Sequence, residues 1–233
     1  SSTDTYNVAV GYDAGTAITT GLRNTLIGAL SGDSLTDADD NTAIGTQALS
    51  GDTKGSRSTA VGHAALAVQN FSSATNASNT AVGYYAGVNV TTGNQNTLIG
   101  ALAGDAITDG DNNTAVGMDA LGACIGGSLN VCVGLGAGGG LTTGGSNVFV
   151  GYNGGAEAVT GDSNTAIGRE AGIALTSGTN NTLLGHDAGR SGSPGGELQG
   201  SNNQIVFGDE NVQGAHIQVS LTVASDQRDK TDF

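Results

Sequence analysis

The stretch Asn96–Gly110 reads NTLIGALAGDAITDG, and after Asp111 and Asn112 the chain starts again with NTAVG at Asn113–Gly117. The phrase Asn-Thr-(Ala/Leu)-(Val/Ile)-Gly is too short for a helix and is bounded by glycine, which marks a short strand. Moving outward in both directions, the phrase closes on Gly11, Gly28, Gly45, Gly62, Gly83, Gly100, Gly117, Gly134, Gly151, Gly168 and Gly185. Nine of the ten intervals are identical, as from Gly11 to Gly28 and from Gly28 to Gly45, and they set a 17-residue period. The exception, from Gly62 to Gly83, is longer, and a degenerate twelfth copy ends at Gly208, further still from Gly185. A period held over this length signals a solenoid. A longer duplication lies over it, in which Asn24–Gly45 and Asn96–Gly117 match closely.

Aligned on the closing glycine, the repeats form columns. The residue before the glycine is Val or Ile in ten of eleven copies, Leu184 being the exception. Such β-branched side chains favour strand over helix. Three residues past the glycine stands a small side chain, as in Ala14, Ser31, Ala48 and Ala103. About four residues later comes a second apolar position, as in Ile18, Leu35, Val90, Ile107, Leu141 and Leu175. A turn glycine then recurs, as at Gly21, Gly55, Gly93 and Gly110. Each repeat reads as strand, turn, short strand, turn. One such unit cannot bury its own apolar face, so the units must stack, each strand pairing in parallel with its copy in the next coil. At about 4.8 Å per coil, eleven coils span roughly 50 Å. The asparagine column (Asn7, Asn24, Asn41, Asn79 and so on, with Ser58 the exception) would stack its amides into a hydrogen-bonded ladder at a turn. The fold class is therefore all-β, a parallel β-solenoid with 17-residue coils.

Composition agrees. Glycine supplies 41 of 233 residues, with one proline and no tryptophan. At 37% hydrophobic and 12% charged residues the chain is too apolar for disorder. A net charge of −14 disfavours nucleic acid and anionic membranes as partners. No run of about 18 apolar residues occurs, so no membrane insertion by a helix is expected, and the residues from Ser1 onward carry no signal-peptide pattern. Cys124 and Cys132 are too few for a disulfide framework and are expected to be buried free thiols.

Side chains alternate along a strand. Thr and Val/Ile of the phrase share one side, while the column Ala9, Leu26, Ala43, Ala60, Ala81, Leu98, Ala115, Cys132, Phe149, Ala166 and Leu183 takes the other. Both sides are largely apolar. One lines the interior; the other faces water unless something covers it, and an apolar stripe along a solenoid implies a partner. The economical partner is another copy of this chain, as dimer or trimer.

The units NVAVGYDAGTAITTG from Asn7, NTLIGALAGDAITDG from Asn96 and SNTAIGREAGIALTSG from Ser163 resemble the head repeats of trimeric autotransporter adhesins, over roughly Tyr6 to Gly208. The resemblance implies a left-handed β-roll and a homotrimer packed about a threefold axis. Repeats of that family usually run shorter than the ones in this chain, so the turns here are expected to be longer. Left-handed winding runs against the usual crossover preference and rests on the resemblance alone. A second signal lies at the C-terminus. Ser225-Asp226-Gln227-Arg228-Asp229-Lys230 is similar to the Ser-Asp-x-Arg-Leu-Lys opening of the intramolecular chaperone domain of endosialidase-type phage tail proteins, with Asp229 in place of leucine. That resemblance implies self-cleavage after the serine, carried by Ser225 and Lys230. The chain thus divides into a β-roll of eleven to twelve coils over 1–208, a neck over 209–224 with AHIQVSLTV as a strand, and the first residues of a chaperone domain over 225–233.

Candidate sites follow from the columns. Tyr12, Tyr84 and Tyr152, with His63 and His186, occupy the position just after the closing glycine, where an exposed ring could stack on a sugar; the plainer reading is surface or inter-chain packing. Two inserts break the period, near 68–78 and 190–202. Inserts become loops, often on a binding face, which makes Phe71 and Asn70 receptor-contact candidates. The acidic turns holding Asp37, Asp39, Asp109 and Asp111 offer oxygen ligands for calcium but lack the spacing of an EF-hand, and a solvated turn is the simpler account. His216 stands alone, without a second ligand at metal spacing.

The functional expectation is a structural and adhesive segment of a phage tail fibre, located in the virion. Its expected partner is a host cell-surface receptor, with glycans among the candidates, and no cofactor beyond calcium is expected. The alternative is the head of a bacterial trimeric surface adhesin, at the cell surface. An ice-binding solenoid needs Thr-x-Thr rows, and here Val or Ile takes the second place. A polysaccharide-cleaving β-helix needs a converging carboxylate pair, which the repeated acids do not suggest. The chain is thus not expected to be an enzyme.

Overall fold

The computed structural model describes residues 5–158 and 160–213. The AHIQVSLTV stretch, His216, Ser225 and Lys230 lie outside the described residues. Fourteen strands are described, all of two or three residues: β1 (Val8–Val10), β2 (Thr25–Ile27), β3 (Thr42–Ile44), β4 (Gly55–Ser56), β5 (Thr59–Val61), β6 (Thr75–Asn76), β7 (Thr80–Val82), β8 (Thr97–Ile99), β9 (Thr114–Val116), β10 (Val131–Val133), β11 (Val148–Val150), β12 (Thr165–Ile167), β13 (Thr182–Leu184) and β14 (Ile205–Phe207). All but β4 and β6 form one twelve-stranded sheet in chain order. Every pairing is parallel, and each repeat meets its copy in register, for example Thr97↔Thr114, Leu98↔Ala115 and Ile99↔Val116. This is the parallel β-solenoid that the period requires.

The interior takes the Ala/Leu column. Leu26, Ala43, Leu98, Cys132, Phe149 and Leu183 are fully buried, and they pack against the small column and the second apolar column in one continuous core. Thr and Val/Ile face outward. Each coil also needs several residues in the left-handed backbone region. The closing glycine is one: Gly100 has φ +139, and a Cβ there would sit on the carbonyl of Gly117 in the next coil. The residue before each asparagine is another, including bulky ones such as Arg23 (φ 57), Gln95 (φ 58) and Leu129 (φ 64). Left-handed backbone costs an L-residue roughly 1–2 kcal/mol. Coil-to-coil hydrogen bonds enforce it: the N–H of Gln95 donates to Ala77 O at 2.8 Å.

A third left-handed position lies four residues past the closing glycine, and there the core exchanges volume between columns. Where it is Gly32 or Gly104, the second apolar column carries Leu35 or Ile107. Where it is Leu49, Leu66 or Leu121, each left-handed and fully buried, the second column carries Asp52, Gln69 or Cys124. Across these two columns each of these coils keeps one large apolar side chain, and where that chain is Leu49, Leu66 or Leu121 the strand column carries the smaller Ala43, Ala60 or Ala115.

The asparagine ladder forms as the column predicts. Asn113 is fully buried. Its N–H donates to Asn96 Oδ1 at 2.9 Å, its amide Nδ2 donates to Gly127 O at 2.8 Å, and its Oδ1 accepts from the N–H of Asn130 at 3.0 Å. The ladder changes at Ser58. There the buried Gln69 accepts at Oε1 from Asn79 Nδ2 at 2.8 Å and donates from Nε2 to Ser58 Oγ at 3.2 Å and to Asp52 Oδ2 at 2.5 Å. Asp52 is fully buried, and its Oδ1 also accepts from the N–H groups of Gly55 at 3.0 Å and Phe71 at 3.3 Å. A buried carboxylate is tolerated only with this density of donors.

The first insert therefore does not present Phe71 to a receptor. Phe71 is only 6% exposed. It packs toward Gly55, beside the Asp52 carboxylate, where its own N–H is one of the donors that a buried carboxylate needs. The insert continues into β6, which pairs with β4 through Gly55↔Thr75 and Ser56↔Asn76. In the second insert Leu198 turns inward, 4% exposed, and joins the core.

Candidate functional site

Strand direction fixes what the surface shows. With the Ala/Leu column inside, the two outward rows are Thr (Val8, Val131, Val148 and Ile205 in four copies) and Val/Ile (Leu184 and Phe207 in two). Neither row contains a charged residue. Ile99 is 39% exposed and Ile167 43% exposed, and Val10, Ile27, Ile44, Val82 and Phe207 are exposed too. Exposed Met118, Leu129 and Leu135 widen the stripe beside β9, β10 and β11.

The column after the closing glycine runs along one flank of this stripe. Tyr12, Tyr84 and Tyr152 are 74%, 56% and 47% exposed, so the structure leaves all three rings at the surface. Tyr84 belongs to an aromatic group: it stacks on His63 at 5.6 Å between centroids and meets Tyr85 edge-on at 4.3 Å. Loss of hydration and the neighbouring Tyr85 raise the Tyr84 phenol above its ordinary pKa. Tyr152 lies under the Arg169 guanidinium at 5.9 Å. Arg169 in turn faces His186, Nη1 to Nε2 at 3.4 Å, and His186 Nδ1 lies 3.3 Å from Asp209 Oδ2. The tyrosines and histidines of this column read as candidates; its Arg169 and Asp209, and the next residues along, Tyr85 and Asp187, do not. A signal for these was present, since residues one coil apart in a column must touch.

The acidic turns bond to neighbouring backbone and side chains. Asp39 Oδ1 accepts from the N–H of Leu22 at 2.8 Å, and Asp111 Oδ1 accepts from the N–H of Asn94 at 2.8 Å, each bridging to the preceding coil. Asp37 and Asp109 accept from the adjacent threonine hydroxyls at 3.1 Å. The four are not brought together as a set of three converging donors; among the described residues the group that is so arranged is His186, Asp187 and Asp209. Asp33 and Asp105, equivalent positions of the longer duplication, each bury Oδ1 without a hydrogen-bond partner. Loss of hydration raises both above the usual carboxylate range. Asn70 is exposed, and its Oδ1 accepts from Thr53 Oγ1 at 3.0 Å.

Cys124 and Cys132 are free and buried. Burial pushes the Cys124 thiol up to about 11 and the Cys132 thiol higher still. Neither carries appreciable thiolate at neutral pH, so neither is a nucleophile. Comparison with known protein families, curated proteins and solved structures gives no match to this chain.

Proposed function

We propose that the chain is a structural and adhesive segment of a phage tail fibre that assembles as a homotrimer, its copies meeting along the outward Thr and Val/Ile rows. One observation carries this reading. An uncharged, half-exposed aliphatic stripe runs over all twelve strands of a chain whose net charge is −14. Charge elsewhere on the surface keeps such a particle soluble, while a stripe this long left in water is a standing site of association. A second copy offers a stripe of equal length and identical 17-residue spacing. The threefold number, the left-handed winding and the viral setting come from the resemblance to adhesin head repeats and to the opening of a phage chaperone domain.

Host attachment belongs to the same proposal. The exposed flank column, with Tyr84 as part of an aromatic group and Tyr12 and Tyr152 beside it, supplies apolar ring faces for a glycan receptor. A bacterial trimeric adhesin head is the second reading, favoured by the same repeats. The two part downstream of Phe233. In the fibre reading the full gene product is cut after Ser225, and Ser225→Ala or Lys230→Ala leaves it whole. An uncut product followed by a heptad stalk and a membrane anchor refutes the viral reading.

A further inference from the structure

We propose that His186, Asp187 and Asp209 bind a divalent transition-metal ion such as zinc, which ties β14, the last strand among the described residues, to the coil beneath it. His186 follows closing Gly185, and Asp209 follows Gly208. The register Leu184↔Phe207 therefore stacks the two positions one coil apart, although the second insert separates them in the chain. His186 Nδ1 lies 3.3 Å from Asp209 Oδ2 and 3.6 Å from Asp187 Oδ2, and the three donor atoms fall within 4.8 Å of one another. Bonds of about 2.0–2.1 Å to a tetrahedral ion place ligand atoms roughly 3.3–3.4 Å apart. The protein already holds two of these spacings near that value. One imidazole and two carboxylates fit a small transition ion; calcium needs about six to eight oxygen ligands and no nitrogen.

The other carboxylate oxygens are held from behind, as ligating carboxylates usually are. Asp187 Oδ1 accepts from Arg190 Nη1 at 3.2 Å, and Asp209 Oδ1 accepts from the N–H of Asn211 at 2.9 Å. Two contacts oppose the ion. Asn211 Nδ2 reaches Asp209 Oδ2 at 3.2 Å and must turn away. Arg169 Nη1 faces His186 Nε2 at 3.4 Å. Metal on Nδ1 leaves the ring proton on Nε2, so Arg169 must withdraw. Its side chain is 61% exposed and already donates to Glu170 Oε1 at 2.9 Å, so it has a place to go. Three protein ligands leave a coordination position for water. An ion held across two strands binds the folded chain and not the unfolded one, and so stabilises it.

The test uses the full chain carrying His63→Ala and His216→Ala, so that His186 is its sole imidazole. Zinc is titrated by calorimetry, cobalt(II) by visible absorption, and melting is followed with and without zinc. Expected are one ion per chain, the intense cobalt bands of a four-coordinate site and a melting temperature that rises with zinc. His186→Ala removes all three signals, Asp209→Asn weakens uptake by at least about 10-fold, the least that even loss of an outer-shell partner costs, and Arg169→Ala tightens it. Uptake that persists in His186→Ala, or no uptake by the parent at millimolar zinc, overturns the proposal. Circular dichroism matching the parent shows that these substitutions leave the fold intact.

Discussion

At the scale of single residues, the closing glycine and the buried acids decide most. Gly117 has φ +136, and a side chain there would run into the backbone of Gly134. Gly117→Ala is expected to cost about 3 kcal/mol or more, read as a lower midpoint in denaturant melts; a loss within error would mean that the coils do not touch there. This glycine column is legible in the sequence because no other residue type fits it. The left-handed positions before each asparagine are not legible. Arg23, Gln95 and Leu129 have nothing in common except the coil-to-coil bonds that hold their backbone. Asp105 makes a second residue-scale prediction. Its folded-state pKa is raised by loss of hydration, so the stability linked to its proton is present at acid pH and lost as pH rises through the folded value. Asp105→Asn should therefore stabilise the chain at neutral pH, by less than about 1 kcal/mol. The gain should disappear below the carboxylate range. Thermal melts across pH check this, and a gain that persists in acid contradicts it.

At the scale of elements, the solenoid is one repeated coil with one polar interruption. The strand pairing, the ladder and the inward small column all follow from a period of 17, and the sequence carries them openly. Phe71 reads as a receptor contact because a break in the period looks like an exposed loop. The clue to its burial lies in the columns instead. Ser58 breaks the asparagine column and Asp52 and Gln69 break the second apolar column, all within two coils, and a polar group placed in a core demands hydrogen-bond partners, which the insert supplies in part through the Phe71 N–H. Asp52 and Gln69 are expected to depend on each other. Gln69→Leu alone takes a donor from a buried carboxylate and should cost about 1–3 kcal/mol. Asp52→Leu with Gln69→Leu should fall well short of the sum of the two single losses. A denaturant double-mutant cycle measures the coupling, and simple additivity would mean that the pair acts separately. The flank site of His186, Asp187 and Asp209 is only half legible: the column gives His186, but the long interval to Gly208 hides its neighbour.

At the scale of the whole molecule, the outward rows are the feature that a single chain does not explain. The alternation of side chains makes two apolar sides readable, and the structure assigns Ala/Leu to the interior and Val/Ile to the surface. What covers the surface row is the central claim. The most direct measurement is the molar mass of the chain by light scattering at micromolar concentration. The account predicts three times the 22.7 kDa of one chain, falling to a single chain when Ile99 and Val116 are both changed to lysine. A particle of 22.7 kDa in the unaltered protein contradicts it.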